Sequence, residues 1–147
     1  MIVKTRYFSE FDLDESEILK FPNGIFGFED QDAFIVIRFG EDNDDSLFCL
    51  QSVTEEDLAF VLLNPFSVDP AYSPKPSEDD LKELKITDET PIAFFSIAVV
   101  KENFKDSTVN LRCPILVNYD TKTAKQIVLD DGVYSMRAPI STVKEGA

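Results

Sequence analysis

PIAFFSIAVV, residues 91–100, is apolar at nearly every position. A surface helix would interrupt such a run with polar residues at a 3.6-residue period, whereas a strand covered on both faces needs no interruption. Its Ile, Val and Phe content suits a pleated, packed surface. The stretch reads as a central strand, and AFIVIRF (33–39) reads the same way.

Outward from these two lie further segments of strand length: IVKTRYF (2–8), EILKF (17–21), LFCLQSV (47–53), LAFVLL (58–63), TVNLRCPILVNY (108–119) and AKQIVL (124–129). In the first, Val3, Thr5 and Tyr7 alternate with Ile2, Lys4 and Arg6, the pattern of a half-buried strand. One segment departs from this rule. Ser77 can cap a helix, Glu78, Asp79 and Asp80 fill its first turn, and Leu81 and Leu84 share a face, so a short helix is expected over 77–85. Residues 64–76 carry four of the eight prolines and read as an irregular connection.

About eight strands and one short helix make an all-β chain. Closure into a small barrel or a tight sandwich hides strand edges economically, and of the two the barrel, complete or partly open, is the expectation. The 147 residues fit a single domain over 1–140, with STVKEGA (141–147) as a frayed polar tail.

The formal net charge is −14, and residues 1–60 hold 15 acids against 4 bases. Such a field repels phosphate backbones and anionic lipid heads, so neither direct nucleic-acid binding nor membrane binding is expected; a basic protein partner is. Asp42, Asp44 and Asp45, in EDNDDS (41–46), are candidates for an electrostatic docking surface. No charged leader with an apolar core and no membrane-length apolar run occurs, which points to the cytoplasm.

Histidine is absent, which removes the usual general base and the commonest metal ligand. Neither EDNDDS nor DLDESE (12–17) completes a calcium loop, because the glycine at position six and the glutamate at position twelve are missing. Gly24 and Gly27 are followed by FED rather than a phosphate-cradling helix start. Cys49 and Cys113 sit in apolar contexts and read as buried reduced thiols. No cofactor, metal or catalytic residue is expected. A barrel carrying an apolar ligand is the alternative raised by the 13 phenylalanines, and a carboxylate-pair hydrolase rests on acid abundance alone.

FPNGIFGFED (21–30) remains. Pro22 fixes φ early in a turn, Asn23 or Gly24 accepts positive φ, and Gly27 allows a second sharp bend. Ile25, Phe26 and Phe28 can then plug a barrel end, with one ring left outside for a partner.

This stretch resembles the F-P-x-G-[IL]-x-G-F-E motif of the FliW flagellar assembly factor family. LQS (50–52), FVLLNPFSVDPAY (60–72) and NLRCPILVNYDTKTAKQIVL (110–129) resemble further segments of that family, in the same order. Cys113 stands where the family usually has alanine, and Tyr119-Asp120 replaces a proline-containing turn. The resemblance implies a non-catalytic cytoplasmic regulator that binds flagellin and binds CsrA, the basic RNA-binding repressor of flagellin translation. The matched positions are candidate partner contacts: Phe21, Pro22, Asn23, Gly24, Gly27, Phe28 and Glu29 from the first motif, and Asn110, Pro114 and Asn118 from the last.

Overall fold

A computed structural model describes residues 1–39, 47–130 and 132–140. The acidic candidates Asp42, Asp44 and Asp45 and the tail 141–147 lie outside the described residues. The strands are β1 (Ile2–Thr5), β2 (Ser9–Asp12), β3 (Leu19–Lys20), β4 (Ala33–Arg38), β5 (Leu47–Ser52), β6 (Ala59–Leu63), β7 (Ile92–Val99), β8 (Thr108–Val109), β9 (Ile115–Asn118), β10 (Thr123–Gln126) and β11 (Ala138–Pro139). Two short helices, α1 (Pro65–Val68) and α2 (Glu78–Glu83), lie between β6 and β7.

Seven strands close into a barrel in the order β7-β6-β5-β4-β3-β10-β9, with β9 pairing back onto β7. β3 and β10 run parallel and the other neighbours are antiparallel. β8 and β11 continue the sheet outward from β7, and β1 and β2 form a separate hairpin.

The apolar runs on both faces of β4 and β7 follow from this layering. From β4, Phe34 and Val36 point into the barrel with Leu50, Leu62, Phe95 and Ile115, while Ile35 and Ile37 pack outward with Val3 of the hairpin. From β7, Phe95 and Ile97 point inward, whereas Phe94 and Ala98 join an outer core with Val68 and Leu84 at the two helices and Ile140 near the C-terminus.

Sequence and structure differ in several places, among them the first strand, which stops at Thr5 rather than running to Phe8. Residues 64–76 are not wholly irregular: Asn64 caps α1 by accepting the Phe66 N–H, and Pro65 occupies the first helical position, where its missing donor costs nothing. The 108–119 segment is two strands along one edge of β7. Val109 faces Ala98 and Ile115 faces Phe95, so six residues of one strand pass three of the other, and the excess forms an excursion over 110–114. Ser9–Asp12, too acidic to read as a strand, pairs as β2 with β1. The expected helix forms, with Ser77 Oγ accepting the Asp80 N–H at 3.1 Å and Leu84 buried.

Candidate functional site

The chain leaves β3 at one end of the barrel and turns twice. Gly24 N–H donates to the Phe21 carbonyl at 2.9 Å, closing a turn over Pro22 and Asn23. Gly24 has φ +66°, and a Cβ there would lie 2.6 Å from both Glu29 Cα and the Phe28 carbonyl oxygen, so backbone occupies the place of any side chain. In the second turn Phe28 N–H donates to Ile25 O at 2.6 Å across Phe26 and Gly27, the latter at φ +89°. Glu29 folds back, its carboxylate accepting the Gly27 N–H at 2.6 Å.

These turns sort the apolar side chains. Phe21 and Ile25 are buried and plug the barrel. Phe26 and Phe28 stay outside, 52% and 39% exposed, two rings where the sequence suggested one. Phe28 stands edge-on to Phe60 with centroids 5.4 Å apart.

Side chains from distant segments fix the turn. Gln126, at the end of β10, accepts the Phe26 N–H at 3.0 Å and donates to the Cys113 carbonyl at 3.2 Å. Asn23 donates to Glu83 Oε1 at 2.6 Å, and Lys125 Nζ reaches Glu83 Oε2 at 2.6 Å and Asp80 Oδ1 at 2.7 Å. Hydrogen bonds from Lys125 and then Asn23 hold the Glu83 carboxyl below the usual range, and those to Asp80 and Glu83 raise the Lys125 ammonium above its own. A cleft of about 90 Å³ lies among these groups.

The neighbouring 53–58 loop belongs to the same end. Gln31 Oε1 accepts from Ser52 Oγ at 3.0 Å and from Thr54 Oγ1 at 3.2 Å, bridging the two loops. Gln51, fully buried, directs its amide nitrogen at the carbonyls of Ser52, Glu55, Glu56 and Leu58 at 3.0 to 3.2 Å, while its oxygen accepts the Arg6 N–H. The carboxylates of Glu29, Asp30, Asp32, Glu55, Glu56 and Asp57 belong to exposed residues, and neither 21–32 nor 53–58 contains a lysine or arginine.

The other sequence-derived candidates serve the excursion and the hairpin. Asn110 accepts the Cys113 N–H at 2.9 Å, and buried Pro114 accepts the Ile127 N–H at 2.9 Å. Asn118, only 1% exposed, donates to the Leu84 carbonyl at 2.7 Å and accepts the Asp120 and Thr121 N–H groups, tying α2 to the β9–β10 turn. Cys49 and Cys113 are free and buried; burial pushes the Cys49 thiol up to about 11 and also raises Cys113. Gln51, Lys125 and Gln126 were not singled out as site residues in the sequence, because a lone polar residue in a strand carries no periodic signal.

At the opposite end, Leu19, Val36, Phe48 and Phe95 show at the barrel mouth beside Arg38, Tyr119 and Lys122, around a groove of about 450 Å³. Between the ends the interior is filled by side chains such as Phe34, Leu50, Leu62 and Ile115, none more than 1% exposed. That packing counts against a carrier of an enclosed apolar ligand.

The family model described as FliW protein matches residues 2–140. The chain belongs to the FliW family. It is 38% identical over 134 residues to the flagellar assembly factor FliW of Alkaliphilus metalliredigens, covering 91% of this chain and 82% of that protein. It is 36% identical over 137 residues to that of Bacillus velezensis, covering 93% and 94%. A crystal structure of the flagellar assembly factor FliW superposes with a TM-score of 0.87 at 31% identity, covering 95% of this chain and 96% of that one. In the FliW barrel seen here, FPNG (21–24), LQS (50–52) and Gln126 at the end of β10 meet at one end, together with β6, through Gln126, Gln31 and the Phe28–Phe60 contact.

Proposed function

We propose that this FliW family member acts in flagellar assembly as a non-catalytic partner switch, binding flagellin and, alternatively, the translational repressor CsrA. While flagellin is abundant it occupies the protein and leaves CsrA free to block flagellin translation. Once flagellin is exported, the protein captures CsrA and translation resumes. Mass action is sufficient, since each flagellin-bound copy is withdrawn from the pool open to CsrA.

The observation that carries this reading is the family match along residues 2–140. The charge of −14 supports it, because an anionic protein meets a basic RNA-binding dimer quickly and repels the RNA. No described helix is long and apolar enough to cross a membrane. Gel filtration of the purified protein with flagellin and, separately, with CsrA should give a stable complex in each case. Two clean negatives reject the reading.

A further inference from the structure

We infer that the barrel end built by residues 21–32 and 53–58 is the docking surface for a basic protein partner, with Phe26 and Phe28 as apolar anchors inside a rim of carboxylates. The inference rests on the reading that this protein captures CsrA, and it adds where the capture happens.

Three observations converge on this end. First, Phe26 and Phe28 are exposed although their backbone is held: Gln126 fixes the Phe26 N–H, Ile25 fixes the Phe28 N–H, and Phe60 supports the Phe28 ring. Anchors already in place lose little freedom on binding, which is where much of the cost of an interface lies. Second, two exposed rings on loops whose acidic residues are also exposed match the make-up of an interface with an apolar core and a polar rim.

Third, the sign of the rim selects the partner. The two loops present six carboxylates and no cation. The cations beside them stand at the edges: exposed Lys20 immediately precedes the first loop, Arg6 donates to the Asp57 carbonyl at 3.4 Å and lies over the Tyr7 ring, Lys4 lines the same corner, and Lys125 is held between Asp80 and Glu83. A second copy of the chain would bring another net −14 to this surface, and a nucleic acid would bring phosphates; both are repelled. The opposite mouth is mixed in sign, with Glu17 beside Arg38 and Lys122 in its lining, rather than uniformly anionic.

The test measures association and dissociation rates with purified CsrA, at low and at physiological salt, for four proteins. These are the wild type, Phe26→Ala, the pair Glu55→Lys/Glu56→Lys, and Tyr119→Ala at the opposite mouth. Losing the anchor should weaken binding about tenfold, mainly through faster dissociation. The lysine pair should slow association about tenfold at low salt, with the difference shrinking as salt rises. Tyr119→Ala should bind as wild type does. Thermal melts of each variant separate lost binding from lost folding, and the lysine pair alters only exposed side chains. If the wild type captures CsrA and the Phe26 and lysine variants do so equally well, or if only Tyr119→Ala loses it, the docking surface is elsewhere. If the wild type itself does not bind, the CsrA reading fails and the surface falls with it, so the wild-type arm distinguishes the two failures.

Discussion

Replacing Gly24 by alanine tests whether the first turn depends on the absence of a side chain. Two costs are separable. A residue with a Cβ in the left-handed region loses about 1–2 kcal/mol, and Gly24 sits there at φ +66°. The added carbon would also lie 2.6 Å from Phe28 O and Glu29 Cα, and 2.7 Å from Glu29 C, all backbone atoms that no rotamer can move aside. Relieving the overlap shifts Phe28 and Glu29, which disturbs the Phe28–Ile25 and Gly27–Glu29 hydrogen bonds, each contributing about 0.5–1.5 kcal/mol.

Gly24→Ala should therefore cost roughly 2–5 kcal/mol in all. Gly27 supplies the control: its φ is +89°, yet nothing lies within 4 Å of a Cβ placed on it, so Gly27→Ala should cost only the strain of about 1–2 kcal/mol. Urea unfolding of the two variants beside the wild type gives the difference directly. In thermal melts Gly24→Ala should fall by roughly 10 °C, at about 2–4 °C per kcal/mol for a chain of this size. If the two variants agree within about 0.5 kcal/mol, a margin typical of independent small effects, close packing against Phe28 and Glu29 is not what requires the glycine.

Gln51→Glu would set a carboxylate among four carbonyl oxygens; its folded pKa must rise, so stability falls as pH climbs above the unfolded value of about 4.3 and levels off beyond the raised one. Urea midpoints that do not decline over that range would refute it. Lys125→Met leaves Asp80 and Glu83 without their cation and should cost about 1.5–3 kcal/mol near neutral pH. Because Glu83 is held low, its contribution is present above the ordinary carboxylate range and is lost as pH falls through the folded value; because Lys125 is held high, its contribution is lost only as pH rises through its raised one. The variant should flatten both limbs of the stability profile. Lys85, just beyond α2, has φ +57°, with Ile86 N–H bonded to the Leu81 carbonyl at 2.8 Å, so Lys85→Gly should stabilise by about 1 kcal/mol. An unchanged or lower unfolding midpoint counts against strain there.

Much of the barrel was legible because both of its faces are covered. PIAFFSIAVV and AFIVIRF needed no alternation to read as strands, and Ser77 with three acids after it marked the helix. What escaped depends on partners far away in sequence. The break in 108–119 is held open by the Ser135 carbonyl, which accepts from Leu111 and Arg112, and by the Tyr72 hydroxyl, which donates to Leu111 O. α1 escaped for a local reason: Asn64 and Pro65 open the proline-rich stretch 64–76 that reads as irregular, although cap and first position are where those two residues start a helix. At the candidate site, Pro22, Asn23, Gly24 and Gly27 were legible as turn chemistry. Gln126 was not, since its two partners lie at residues 26 and 113.

The place of β10 has a consequence for synthesis on the ribosome. The stave that completes the circle, residues 123–126, slots between two strands whose sequences end at 20 and begin at 115. A nascent chain thus exposes the open side of β3 until residues 123–126 have been made, and the bolt on Phe26 arrives in the same tetrapeptide. Truncation before residue 123 should leave an unclosed, association-prone sheet, so the surface proposed for partners matures only once β10 has been made.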